Sequence, residues 1–315
     1  MRTLAIVVML TGLLAVSTAM PDDSYLTYGQ GSEGSDDDEA GQHVGKVTTN
    51  CTCGTTNKDT GRIVGGTETL PNEYPHMVGV GYINKKKTFV SIFCGGSLIS
   101  EWHVLTAAHC TYQDHDELGI VAGEHNTRSD EDNKYTKVYP VRRVIEHQGW
   151  NDKTYEDDIA ILLLDTKVEL NRYVGLICLP TRRVDITGQH VKVTGWGHTK
   201  GGGEESDTLQ KVNLRVIKLD ICKEKYQKKV IRTNPGTQLC TYSYRKDSCQ
   251  GDSGGPVIWL DRETNRYTQV GVVSYGAGCA TRLPGVNTDV HAYIDWIQTT
   301  IHMTRRGVYT CSRNG

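Results

Sequence analysis

Three things are scarce in this 315-residue chain, and each scarcity removes a class of function. Charge of one sign is scarce in the balance: 35 Lys and Arg stand against 37 Asp and Glu, for a net charge of -2. No global field therefore draws the chain to nucleic acid or to an anionic membrane. Long apolar runs are absent after residue 16, so the sequence offers no later membrane span, and the mature protein is expected to be soluble. Metal-ligand spacing is scarce too. Cys51 and Cys53, in "CTC", have no second Cys or His pair at zinc spacing, so they read as disulfide partners and no cofactor or metal is expected.

What is present begins with Arg2, the run "LAIVVMLTGLLAV" and the small residues ending at Ala19. This is the pattern of a secretory signal peptide over residues 1–19, and it predicts an extracellular protein. Ten cysteines suit that compartment. From Pro21 to Arg62 there are eight acidic and three basic residues and few apolar ones, whereas from Ile63 onward there are 29 acidic and 31 basic. Residues 20–62 therefore read as an acidic leader that is largely disordered because it cannot bury enough surface to fold alone.

Beyond residue 62, short apolar and β-branched runs alternate with Gly, Asn, Asp and Lys clusters. "HMVGVGYI", "VSIFCGGSLI", "DIAILLL" and "YTQVGVVSYG" are examples. The pattern predicts an all-β barrel or sandwich. The one convincing helix is 289–303, where Val290, Ile294, Ile297 and Ile301 form an apolar stripe.

The stretch "RKDSCQGDSGGPV" holds the pair Asp-Ser twice. Neighbouring side chains seldom face each other, so a serine nucleophile here needs an imidazole and a carboxylate from elsewhere. His109 in "LTAAHC" and Asp158 at the head of "DIAILLL" are the candidates. Alone, the first reads more readily as an ordinary surface histidine and the second as a strand-end residue. Together, "TAAHC", "DIA" and "GDSGGP" occur in the order His, Asp, Ser, with "RIVGG", "VTGWG" and "VSYGAGC" around them. In this the chain resembles the chymotrypsin/trypsin family of serine proteases from Ile63 to about Met303. The paired cysteines before "RIVGGTETLPNEYP" are similar to those of secreted serine proteases from arthropod venom, saliva and haemolymph.

That resemblance implies two six-stranded antiparallel β-barrels and a C-terminal helix. The peptidase domain would span 63–315: a first barrel to about 170, a second barrel and helix to about 303, and a tail over 304–315. It implies Ser253 as nucleophile, His109 as general base and Asp158 as its orienting carboxylate, with Ser248 a bystander. Gly251 and Ser253 would supply the oxyanion-hole N–H groups. Asp247 would floor a specificity pocket walled by Gly276 and Gly285 and suited to Arg or Lys, while Ser274 and Gly276 offer backbone groups to the substrate. Cleavage after Arg62 would free the amine of Ile63 to pair with Asp252.

The implied disulfides are Cys94–Cys110, Cys222–Cys240 and Cys249–Cys279. Cys178 would take either Cys51 or Cys53, with the other left for Cys311. The loop holding Glu124, Asn126 and Glu131 is similar to a calcium loop, but Lys134 puts a cation among the oxygens, and no bound metal is expected. Asn50-Cys51-Thr52 is a glycosylation sequon. The implied partners are protein substrates, an activating Arg-specific protease and protein inhibitors. The competing reading is a catalytically silent protease homologue that acts as a binding protein, a class that typically lacks a member of the triad.

Overall fold

In a computed structural model of the chain, residues 40–57, 67–111, 118–129, 133–198, 204–226, 231–233, 236–243, 251–276 and 283–315 are described. They lie in the compact unit that begins at Gly34. Strand β1 (Thr67–Glu68) precedes six strands: β2 (Met77–Ile83), β3 (Val90–Ser100), β4 (His103–Thr106), β5 (Leu118–Ala122), β6 (Lys137–Glu146) and β7 (Ala160–Leu164). These six close into a barrel in the order β2-β3-β4-β7-β6-β5, every neighbour antiparallel. Its filling is the aliphatic content of the apolar runs: Val78, Val80, Leu98, Leu105, Ile120, Ile161 and Leu162 are all fully buried.

A second set follows: β8 (His190–Gly195), β9 (Gln210–Ile217), β10 (Gln238–Tyr242), β11 (Pro256–Asp261), β12 (Arg266–Tyr275) and β13 (Gly285–Asp289). The order β9-β10-β13-β12-β11-β8 closes through a further β8–β9 pairing, giving a second six-stranded antiparallel barrel. Strand β1, although it precedes the first barrel in sequence, adds to the second through Thr67↔Lys211. In β9 the alternation of Val212, Leu214 and Val216 turns one face inward onto Val191, Val193, Val257 and Val273.

Helices are few. Helix α1 (Leu219–Lys225) is fastened to β10 by the Cys222–Cys240 disulfide. The expected C-terminal helix is a 3-10 turn, Val290–Tyr293, running into α2 (Ile294–Thr304). The predicted stripe faces inward, with Val290, Ile297 and Ile301 buried and Ile294 packed beside them. At its end Thr304 bonds the His103 ring (2.9 Å), and the Arg305 guanidinium lies 3.6 Å from the centre of the Trp102 ring.

The leader departs from expectation. Disorder was predicted for 20–62, yet residues 40–57 are ordered as a strap. Gly45 and Val47 donate to the carbonyls of Thr264 and Glu263, and Thr49 bridges to Arg313 in the C-terminal tail. Asn50 accepts from the Ser312 N–H at 2.7 Å, so the sequon asparagine is part of this contact. The strap has no core of its own and takes its order from the barrel it lies against. Its cysteines resolve the open pairing: Cys53 joins Cys178, and Cys51 joins Cys311. Residues 1–39, which include the expected signal peptide, lie outside the described residues, as do Arg62 and Ile63.

Candidate active site

Strand pairing brings the first two chemical groups together. Thr106, at the end of β4, is registered opposite Ala160 at the start of β7. The residue three positions after the one and the residue two positions before the other must therefore meet just beyond the barrel edge. These are His109 and Asp158. His109 sits in a single 3-10 turn, Ala108–Cys110, closed by Thr111, whose hydroxyl and N–H both donate to the Ala108 carbonyl. The Cys94–Cys110 disulfide ties this turn to β3.

Asp158 is fully buried. Its Oδ1 accepts the backbone N–H of His109 at 2.9 Å and its Oδ2 accepts from His109 Nδ1 at 2.8 Å. Ser274 Oγ donates to the same Oδ2 at 2.5 Å. The Thr288 hydroxyl donates to the Asp158 carbonyl at 2.7 Å. The arrangement points Nδ1–H at the carboxylate and leaves Nε2, 3.8 Å from the Cys110 sulfur, as the ring nitrogen that can accept a proton. Sequence reasoning assigned Ser274 only a backbone role; its bond to Asp158 has no signature in sequence spacing.

Ser253 reaches the same place through the backbone. Its carbonyl accepts from the Gly95 N–H at 2.7 Å, next to the Cys94 disulfide. Gly254 donates to Val273, and Val273 donates to Gly255, so β12 holds the turn from the other side. Gly254 has φ +75°, and a Cβ there would lie 2.2 Å from Thr106 Oγ1 and 3.0 Å from Cys110 Sγ. Both conformation and space demand glycine, which is how the turn comes this close to the His109 loop. Asp252 Oδ1 accepts the Gly197 N–H at 3.0 Å. Gly276 follows β12 and Gly285 opens β13, side by side through the Tyr275↔Val286 pairing. Asp247, Ser248, Cys249 and Cys279 lie outside the described residues.

An aromatic wall missed by sequence reasoning stands beside His109. The Tyr155 ring lies 5.6 Å from that of His109, 5.6 Å from Trp150 and 5.5 Å from Tyr275. Tyr155 and Asp157 adopt positive φ (57° and 53°), which folds this turn back against the histidine. Asp157 in turn accepts the Tyr293 hydroxyl at 2.6 Å, and burial followed by that bond pushes the Tyr293 pKa up. Of the suggested calcium loop, Glu124 accepts the His125 N–H and Asn126 the Arg128 N–H, while Lys134 lies 5.4 Å over the Tyr135 ring. Glu131 is outside the described residues. A group of possible metal ligands, Cys94, His109 and Cys110, has both cysteines committed to their disulfide.

Comparison with known proteins decides what this arrangement belongs to, for the trypsin family model matches residues 63–297. The chain belongs to the trypsin family. It is 38% identical over 260 residues to venom serine protease 34 of Apis mellifera, covering 80% of this chain and 61% of that protein. It is 34% identical over 254 residues to a venom serine protease of Polistes dominula, covering 79% and 87%. The proclotting enzyme of Tachypleus tridentatus is 36% identical over 256 residues, covering 78% and 68%. The chain is thus trypsin-like, a member of a family of serine proteases, and the twin barrels expected from its motifs are the fold found.

Proposed function

We propose that the protein is a secreted, zymogen-activated endopeptidase that hydrolyses peptide bonds after Arg or Lys. What carries this reading is the buried Asp158 carboxylate, doubly bonded to His109 and supported by Ser274. In the proposed reaction His109 Nε2 takes the Ser253 hydroxyl proton as Oγ attacks the scissile carbonyl. Asp158 keeps the ring in one tautomer and stabilises the imidazolium. The N–H groups of Gly251 and Ser253 receive the developing oxyanion, and loss of one such donor typically costs about 10²–10³ in rate. His109 then protonates the leaving amine, and water takes the reverse path to release the acyl group.

Asp247 supplies the counter-charge for a substrate Arg or Lys, between the glycines at 276 and 285. Cleavage after Arg62 frees the Ile63 amine to pair with Asp252 and order the oxyanion loop, and the cut leader stays attached through its disulfides. The partners are protein substrates, an Arg-specific activator and protein inhibitors. The test is cleavage of matched Arg and Leu anilides by the cut protein and by its Asp247→Ser variant. The reading expects strong Arg preference in the wild type and its loss in the variant. Equal discrimination in both would show that another residue sets specificity, and no cleavage of either anilide by the cut wild type would support the silent-homologue reading.

A further inference from the structure

Beside Gly251 the surface opens into a cleft of about 530 Å³. One side of it is aromatic. Phe93 lies on β3 two residues before Gly95, and Phe89 precedes the same strand with half its surface exposed (52%). Another part of the lining is acidic, formed by Glu204, Glu205 and Asp207. These carboxylates are not equivalent. Asp207 is already occupied, with Arg128 Nε 2.7 Å from its Oδ1. Glu204 and Glu205 are exposed and form no ion pair among the described residues. A Cβ built on Gly251 would lie 3.8 Å from Glu205 Oε1, which places that carboxylate at the mouth of the cleft next to the nucleophile's loop.

A peptide held for attack by Ser253 runs its acyl half along β12, past Ser274 and Gly276. A leaving-group half that departs on the other side of Ser253, past Gly251, would enter this cleft. There it meets an apolar ring face on one hand and unneutralised carboxylate on the other. A lysine or arginine suits both, because its aliphatic stem packs on the phenylalanines while its charged head stays among the carboxylates in water. A glutamate or aspartate is repelled. Among the described lining residues, Arg128 is spent on Asp207, and the backbone of His198 pairs with Glu205. Lys85, Lys86 and Lys87 belong to the hairpin tip before Phe89 and are not part of the cleft lining.

We propose that this cleft selects a basic residue on the leaving-group side of the cut, and that Glu205 sets the preference. The proposal rests on the reading of Ser253 as nucleophile. Its test uses the activated full-length protein and quenched peptides with Arg before the cut. Each of the first three positions after the cut carries Lys, Ala or Glu in turn. At one of those positions kcat/KM should fall from Lys to Ala to Glu, with about a fivefold spread, the scale of an exposed ion pair. Raising ionic strength to about 1 M, where the Debye length is about 3 Å, should shrink that spread. Glu205→Gln should flatten the order and Glu205→Lys should invert it, a ratio within one enzyme preparation that general destabilisation does not reverse. Equal rates for the Lys and Glu peptides in the wild type would overturn the proposal, as would an order unchanged in Glu205→Lys. A short Arg anilide, which has no peptide on the leaving side, separates the two levels. If it is cleaved while the peptides show no preference, only the cleft assignment fails; if it is not cleaved, the protease reading fails and the proposal with it.

Discussion

A carboxylate shut off from water persists in a protein when donors replace the water it has lost, and Asp158 has three: the His109 N–H, His109 Nδ1 and the Ser274 hydroxyl. An amide in its place could keep the bond from the backbone N–H, but its NH₂ could donate to His109 Nδ1 and so stabilise the wrong tautomer. Asp158→Asn should therefore fold normally and lose about 10⁴ in kcat. A loss of less than tenfold, measured on an Arg substrate, would contradict the role given to this pair. Another buried group has no such support. His76 is fully buried, neither ring nitrogen has a hydrogen-bond partner among the described residues, and burial pushes its pKa down to about 3. The unfolded chain binds a proton at this residue near pH 6.5 and the folded chain only near pH 3. Between those values the unfolded state holds more protons, so stability falls as pH drops through the window. His103, pushed down to about 4 by burial and then by the Arg305 charge, adds to the same slope. His76→Phe should flatten the decline of Tm between pH 6.5 and 4, and an unchanged slope would show that the ring is charged or solvated there. At this scale the triad candidates were legible because their flanking residues are distinctive. Ser274, Tyr155 and Tyr275 were less so, since their roles depend on side-chain contacts between distant segments.

Elements position these residues through register, and some elements announce themselves more clearly than others. Strand β7, "AILLL", is apolar throughout and fully enclosed, so its run is plain in the sequence. Strand β6 carries Pro140, Arg142 and Arg143 on a bulged, partly exposed ladder, which masks its period. Strand β13, "GVNTD", buries Asn287 and Thr288, whose side chains satisfy the Leu239 carbonyl, the Thr241 hydroxyl and the Asp158 carbonyl. Polar residues in a core carry no hydropathy signal. The strap is the clearest case of a reading limited by what a segment can do alone, because residues 40–57 lack a core and borrow one. Its Cys51–Cys311 disulfide joins it to the tail that follows α2. Replacing both cysteines by serine should cost about 2–4 kcal/mol, a typical contribution for a disulfide, read as a lowered Tm. The cut leader should nevertheless remain attached on a non-reducing gel through Cys53–Cys178, and its release from that double variant would show that the second bridge is not formed.

For the molecule as a whole, family membership settles the architecture, while the reaction depends on whether Ser253, His109 and Asp158 act as one unit once the chain is cut after Arg62. The groups expected to report the cut, Ile63 and the loop through Asp247 and Cys249, lie outside the described residues, so the proposed activation rests on "RIVGG" and "GDSGG" alone. The decisive measurement is labelling by a serine-directed phosphonate, with the modified residue located by peptide mass spectrometry. The cut wild-type protein should take up one equivalent at Ser253, while the uncut Arg62→Gln protein and a cut His109→Ala protein stay essentially unlabelled. A cut wild-type chain that takes no label, or takes it at Ser248, would contradict the account.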